Sequence, residues 1–239
     1  MARRRFFVDS IHDGIAELRG DDAHHLTRVL RASPGQQYEI TDNRSAWLAE
    51  VAETHAGRVV FRVLEPVAGP AIPLDITLCA SLIHFAHFEW MIEKATELGA
   101  ARILPVEAAR SEKGLLEASR KRTERWTRIA REASQQCRRV EAPVILPAVR
   151  FGRALTTEAP HRYFLEEGEA SPLLGVLPSD RPPGTQAIVL AGPEGGWIDA
   201  ERQSASGAGW QPVSLSPLIL RAETAAVAAL AILIGAWMR

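Results

Sequence analysis

Two segments in the C-terminal quarter combine residue types that can do chemistry. In Ile188-Val189-Leu190-Ala191-Gly192-Pro193-Glu194-Gly195-Gly196-Trp197 an apolar strand pattern runs straight into a Gly-Pro-Glu-Gly-Gly turn. Glycines there permit positive φ and let a ligand approach the backbone closely. The turn has no GxGxxG and no phosphate-loop Lys, so neither a dinucleotide nor a nucleoside triphosphate is indicated. Taken alone it also fits a plain tight turn. In the second segment, Val213 to Ala225, a strand ends, a loop follows and a helix of small residues begins. Arg221, Glu223 and Thr224 are the hydrophilic groups entering that helix. Glu223 suits the positive end of the helix dipole; Arg221 opposes it. The arginine therefore needs a partner: Glu194, Glu223 or a bound anion.

A third segment, Phe88 to Gly99, carries Glu93, Lys94 and Glu97, which at that spacing fit surface ion pairs. It precedes a basic stretch. From Arg110 to Arg139 there are ten Lys or Arg against four Glu. Such a face suits a phosphate backbone, and it equally fits a solvated helix with pairs such as Glu124 with Arg128. Cys79 and Cys137 form no CxxC, and reduced thiols are expected. His24 and His25 are adjacent and His84 and His87 three apart, without a third ligand, so no metal site is expected.

These groups need a scaffold, and 239 residues, 46% hydrophobic and 24% charged, suffice to build one. Up to residue 70, short apolar runs (Arg5 to Val8, Gly14 to Leu18, Tyr38 to Thr41, Ala46 to Ala52, Val59 to Leu64) alternate with turn residues, the pattern of a small β-barrel. One helix, capped by Asp21 or Asp22 and running to Leu30, interrupts it. Glu65 to Pro73 holds three prolines and reads as a linker. From Leu74 on, strands alternate with helices. The strands are Leu74 to Ala80, Ile103 to Val106, Val144 to Leu146, Tyr163 to Leu165, Ala187 to Ala191 and Pro212 to Leu215. The helices are His87 to Leu98, a long one within Leu115 to Arg138, Ala200 to Ala208 and Ala222 to Trp237. This α/β alternation implies a mostly parallel sheet covered on both faces, with its ligand site at the C-terminal strand edges. Two domains are expected, 1–70 and 71–239.

Net charge is −1, so the chain is no polycation. No apolar run reaches the roughly 20 residues of a membrane span, so no membrane is expected as a partner. Arg3-Arg4-Arg5 is followed too soon by Asp9 for a leader core, which makes the cytoplasm the expected location. The final helix, Ala225 to Trp237, is apolar on every face. It must be buried all round, and one sheet face covers only one stripe, so a second surface must cover the rest, either within its own subunit or on a second copy of the chain.

In order along the chain, several short motifs accumulate: Arg5-Phe6-Phe7-Val8; His25 with Val29-Leu30-Arg31 and Gly35; Lys94-Ala95-Thr96-Glu97-Leu98-Gly99; Glu132-Ala133 with Gln136 and Arg138; the Gly192 to Gly196 loop with Glu201; and Ile219-Leu220-Arg221-Ala222-Glu223-Thr224-Ala225. Together, over almost the whole chain, they resemble the ribosomal RNA methyltransferases that act on N3 of a uridine in the small-subunit RNA. That family belongs to the trefoil-knot (SPOUT) superfamily. The resemblance implies a knotted parallel-sheet methyltransferase domain behind an N-terminal PUA-like β-barrel that binds RNA. It implies S-adenosylmethionine as cofactor, held by Leu165, Ala191, Gly192, Gly195, Gly196, Leu215, Ser216, Ile219, Leu220, Ala222 and Thr224. It implies ribosomal RNA in the small subunit as substrate, contacted by Arg3, Arg4, Arg5, His25, Arg28, Arg31, Arg125 and Arg138, and a homodimer paired through the knot.

Catalysis would fall to Arg221, opposite a uracil carbonyl, and to Glu223 or Glu194 as proton acceptor or as the group orienting that arginine. The chain departs from the family pattern at His84 and His87, where the family has basic residues. It also departs at Ser216, where the family has Gly, and at Leu218, often basic there. Two other readings stay open: a methyltransferase of the same fold acting on another RNA, and a non-catalytic RNA-binding protein of ribosome assembly.

Overall fold

The computed structural model describes residues 5–55 and 57–238; the expected RNA contacts Arg3 and Arg4 lie outside them. The chain divides into two compact units, one reaching to Ala71 and including Arg131–Ala142, the other Ile72–Ala130 with Pro143 onward.

The first unit holds β1 (Arg5–Phe7), β2 (Ile11–His12), β3 (Ile15–Arg19), α1 (Gly20–His24), a π-helical turn (His25–Val29), β4 (Gln37–Thr41), β5 (Ala46–His55) and β6 (Arg58–Val67). The strands form one mixed sheet in the order β1-β4-β5-β6-β3-β2. β1 runs parallel to β4, and the other pairings are antiparallel. Alternate residues Phe6, Val8, Leu18, Ile40, Ala49, Val51, Val59 and Phe61 fill its core, as period-two patterning requires. The helix expected to run to Leu30 changes hand-hold midway. Thr27 Oγ1 donates to the Ala23 carbonyl at 2.8 Å and Leu30 N reaches back to His25 O. A side-chain hydroxyl competing for a helix carbonyl favours such a local widening. The expected linker also starts later, because β6 continues through Pro66 to Val67. Its pairing with β3 ends at Arg62, so Pro66 sits where one edge of the strand is open and a missing N–H costs little.

A buried ion cluster ties this unit together. Glu39 accepts from Arg5 Nε at 3.2 Å and Nη2 at 2.9 Å, and from Arg138; Arg5 Nη1 donates to the Arg138 carbonyl at 2.6 Å. Arg5 is 1% exposed. The expectation that Arg5 meets RNA is corrected: its guanidinium is enclosed and committed to Glu39.

The second unit continues with β7 (Leu74–Ser81), α2 (Phe85–Glu97), β8 (Arg102–Glu107), α3 (Leu115–Ser119), α4 (Thr123–Cys137), β9 (Val144–Ile145), β10 (Val149–Arg150), α5 (Phe151–Ala154), β11 (His161–Leu165), β12 (Ser171–Pro172), α6 (Leu173–Val176), β13 (Thr185–Ala191), α7 (Asp199–Gly207), β14 (Gln211–Ser214) and α8 (Ala222–Trp237). The last turns of α4, from Arg131, group with the first unit. The sheet order is β10-β8-β7-β13-β11-β14-β12, with β9 on β8, and every pairing is parallel. Passing from β13 to β14, the chain crosses β11, which it has already laid down.

Both faces of the sheet are apolar, as parallel sheets demand. Ala187, Val189 and Ala191 of β13 join one core with residues of α2 and α8; Ile188 and Leu190 join the other with Ala205 of α7. α2 buries Phe88, Met91, Ile92 and Ala95, an i, i+3, i+4, i+7 stripe. It stops at Gly99, whose φ of 93° an L side chain rarely adopts. The long helix expected within residues 115 to 138 is α4, set off from the short α3 by a turn. Ser119 Oγ takes the Leu116 carbonyl at 2.6 Å, and Lys121 and Arg122 make tight three-residue turns. Within this chain α8 buries Ala226, Ala229, Leu230, Leu233 and Trp237, and leaves Thr224, Ala231 and Gly235 exposed. Cys79 and Cys137 are free thiols. Burial pushes the Cys79 thiol up to about 12, which makes it inert.

Glu39→Gln leaves the enclosed Arg5 charge without its counter-charge. Urea denaturation should show a loss of roughly 3–5 kcal/mol. An unchanged midpoint would mean that other groups satisfy Arg5.

Candidate functional site

β13, β11 and β14 are adjacent and parallel, with Phe164 opposite Leu190 and Leu165 opposite Val213. Their C-terminal ends therefore lie side by side, and the three segments that follow them converge. Together with His87 at the start of α2 they enclose a cleft of about 650 Å³. Its walls include Leu165, Glu166 and Glu167 after β11, Gly192 to Gly195 and Trp197 after β13, and Leu215, Ser216 and Leu218 to Glu223 after β14.

Each segment is held by identifiable bonds. The buried Trp197 donates from Nε1 to the Leu165 carbonyl at 2.8 Å and stacks on Phe164 at 4.7 Å. It occupies the place of a side chain on Gly192, where an added Cβ would lie 3.0 Å from the indole ring. Gly196 takes a φ of 68° and closes a turn onto the Pro193 carbonyl. Arg110 Nη1 donates to Gly195 O at 2.8 Å. Glu201, at the start of α7, accepts from Ile198 N at 3.1 Å and Ala109 N at 2.8 Å. Glycine is thus required at Gly192 by close approach and at Gly196 by conformation.

Glu166 is bound by Arg202 Nε at 2.7 Å and Nη2 at 3.1 Å, and by the N–H groups of Glu167 and Gly168. Burial pushes its carboxyl up, but the Arg202 and backbone hydrogen bonds outweigh this and hold it below the usual carboxylate range.

All three expected catalytic residues, Arg221, Glu223 and Glu194, line the cleft. Of the expected cofactor contacts, Leu165, Gly192, Gly195, Leu215, Ser216, Ile219, Leu220 and Ala222 line it too. Ala191 is buried in the strand end, Gly196 shapes the turn from behind, and Thr224 lines a smaller neighbouring pocket. The Arg221 side chain makes no hydrogen bond or ion pair among the described residues, while its carbonyl accepts from Ala225 N at 2.8 Å. The group facing Glu194 and Glu223 is His87, with Nδ1 at 3.4 Å from Glu194 and 3.9 Å from Glu223.

The other expected RNA contacts lie elsewhere. Arg28 and Arg31 are exposed and His25 half-buried in the first unit. Arg138 is bound to Glu39. Arg125 in the second unit grips Glu89 with two bonds of 2.8 Å, and with Arg122 it lowers that carboxyl. Among the described residues no group of three or more His, Cys, Asp or Glu is placed to hold a metal ion, and no helix is long and apolar enough to cross a membrane.

Sequence reasoning missed Glu166, Glu167, Trp197 and the part of His87. An acidic pair directly after an apolar strand and before Gly168 was the available signal for the first two. Nothing local marks His87, which reaches the site only through the packing of α2.

The cleft suits a cationic nucleoside. Glu166, Glu167, Glu194 and Glu223 supply negative charge, the leucines and Ile219 apolar surface, and the glycine turn exposed backbone.

The comparisons agree with this geometry. A family model described as an RNA methyltransferase domain matches residues 70–234, and one described as an RNA methyltransferase PUA domain matches residues 18–64. The chain is 34% identical to the ribosomal RNA small subunit methyltransferase E of a Synechocystis species, covering 93% of this chain and 74% of that one. It is 30% identical to the protein of the same name from Bacillus subtilis, over 95% and 94% of the two chains. The crystal structure of the Neisseria gonorrhoeae ribosomal RNA small subunit methyltransferase E bound to S-adenosyl methionine superposes with a TM-score of 0.88 at 29% identity, covering 99% and 98%.

The pairing of Glu166 with Arg202 is testable by titration. A carboxyl whose folded value is lowered contributes stability above the ordinary carboxylate range and loses it as pH falls through the folded value. A carbon-detected NMR titration should place Glu166 below free glutamate, and Arg202→Ala should raise it. An unmoved titration in that variant would remove the arginine as the cause.

Proposed function

The chain belongs to the ribosomal RNA small subunit methyltransferase E family, and from that premise we propose that it methylates N3 of a uridine in small-subunit ribosomal RNA, using S-adenosylmethionine. Its fold is that of the family, a SPOUT-type parallel-sheet domain behind a PUA domain. The observation that carries the reading is the meeting, in one acidic and apolar cleft, of the glycine turn, the Leu215 to Ala222 segment and the unpaired Arg221.

When bound, S-adenosylmethionine supplies a methyl carbon on a cationic sulfur, which keeps the carbon–sulfur electron pair as the new bond to nitrogen forms. The chain does the rest. The uridine N3–H bond must break with its pair left on nitrogen. The proton goes to Glu223 or Glu194, which both face the cleft and His87. Arg221, free to donate, meets the negative charge that spreads onto a uracil carbonyl. The target base leaves its stack to reach them. Residues 1–70 act as the RNA-binding domain, with Arg28 and Arg31 meeting phosphates, and residues 71–239 act as the methyltransferase.

The working form is a homodimer. Thr224, Ala231 and Gly235 form an exposed small-residue stripe on α8, and Leu218 and Ile219 beside it are 74% and 79% exposed. Neighbouring apolar side chains so open, beside a stripe of small residues, fit a surface that a second copy covers. Sedimentation at micromolar concentration should give twice the 26.2 kDa chain mass; a fully active monomer would end the dimer proposal.

Mass mapping of small-subunit RNA from cells lacking the protein should show one uridine N3-methyl group missing, restored by the wild-type gene. Arg221→Ala should restore about a hundredfold less activity while retaining RNA affinity. A missing methyl group on another atom or another RNA would overturn the substrate, and an affinity loss with normal turnover would make Arg221 a phosphate contact.

A further inference from the structure

Next to the cleft lies a second pocket of about 220 Å³, lined by His87, Trp90, Arg221, Glu223 and Thr224. It shares His87, Arg221 and Glu223 with the cleft. Building on the uridine-N3 reading above, we propose that this pocket seats the target uracil, with Trp90 as its stacking platform and the Glu223 carboxylate as the acceptor of its N3 proton.

Three observations converge on that chemistry. The first is an orphan. Glu223 is 8% exposed, and its Oε2 is buried with no hydrogen-bond partner. Buried polar atoms are almost always paired, so a carboxylate in a pocket wall that lacks a hydrogen-bond partner within the chain calls for a donor from outside it. The other oxygen, Oε1, has His87 no nearer than 3.9 Å. The carboxylate as a whole is therefore left for a donor.

The second is Trp90. Of the six tryptophans, Trp126, Trp197, Trp210 and Trp237 are buried and Trp47 is half-buried; Trp90 alone is exposed, at 45%. It sits on α2 beside residues that do the helix's packing, Phe88, Met91 and Ile92, so core packing does not account for it. An open indole face in a pocket is a platform for an unstacked base.

The third is complementarity. An acceptor, Glu223, and a free cluster of donors, Arg221, line the same small space. The imide edge of uracil offers a carbonyl, an N–H and a carbonyl in sequence, which matches one acceptor with a donor beside it. Cytosine presents a lone pair at N3 and would set it against the carboxylate. In the step itself the N3–H bond breaks, its electron pair stays on N3, and the proton passes to the Glu223 carboxylate. Because Glu223 borders both pockets, N3 is deprotonated at the wall it shares with the methyl donor's cleft. His87, 3.4 Å from Glu194 and 3.9 Å from Glu223, is a positioning residue beside the two carboxylates.

The test uses unmethylated small ribosomal subunits from cells lacking the protein, with the full-length enzyme. Trp90→Ala should lower kcat/KM by about tenfold or more, and Trp90→Phe should recover most of the loss, since a smaller ring still stacks. S-adenosylmethionine affinity measured by calorimetry should be unchanged in both variants, which also shows that they fold. Glu223→Gln should slow methylation about a hundredfold. Subunits whose RNA contains 5-fluorouridine, with a more acidic imide, should win back much of that loss in Glu223→Gln while changing the wild type little. Trp90→Ala with normal kcat/KM, or Glu223→Gln equally slow on both RNAs, would overturn the proposal. Either result with methylation still found at uridine N3 leaves the parent reading standing; a methyl group mapped to a different atom removes the parent reading and this one together.

Discussion

The indole of Trp197 fills the space that a side chain on Gly192 would need, and its N–H binds the carbonyl that ends β11. That one packing arrangement fixes the loop after β13 against the loop after β11. Phe164 stacks on one side of the ring and Phe151 lies 5.4 Å away, so the indole cannot tilt without disturbing the core beneath the sheet. The cleft exists because this contact holds two strand ends at a set distance while the Leu215 to Arg221 segment closes the third side.

Around that anchor the polar groups sort into those already satisfied and those left available. Glu166 is occupied by Arg202 and two backbone amides, and Glu201 by Ile198 and Ala109. Arg110 is spent on the Gly195 carbonyl. The Arg221 guanidinium and the Glu223 carboxylate make no hydrogen bond among the described residues. Groups that shape the walls pair with one another. That division separates shaping residues from those proposed to react better than residue type does, since glutamates and arginines appear on both sides of it.

The first unit obeys the same logic with the opposite outcome. Arg5 and Arg138 resemble RNA contacts when seen as basic residues in a row, yet both converge on Glu39. The enclosed Arg5 guanidinium needs that fixed counter-charge, and the half-buried Arg138 shares it. Arg28 and Arg31 stay in solvent and keep their charge for a partner.

Local patterning in the sequence was enough for the alternating strands and helices, the covered parallel sheet, the glycine turn and the odd placement of Arg221, because hydrophobic period, turn residues and dipole arguments act over a few neighbours. The ordered motifs carried the family. Where reading failed, a side chain competed for a backbone group within one turn, as Thr27 does, or an open strand edge tolerated Pro66. What no local pattern held was which distant groups meet: Glu39 with Arg5 and Arg138, His87 between Glu194 and Glu223, Trp90 beside Arg221, and the orphaned Oε2 of Glu223. Those depend on how α2 and α8 pack on the sheet and on which strands lie side by side. Pairing between residues a hundred positions apart is a property of the folded chain, and burial and charge compensation decide it only there.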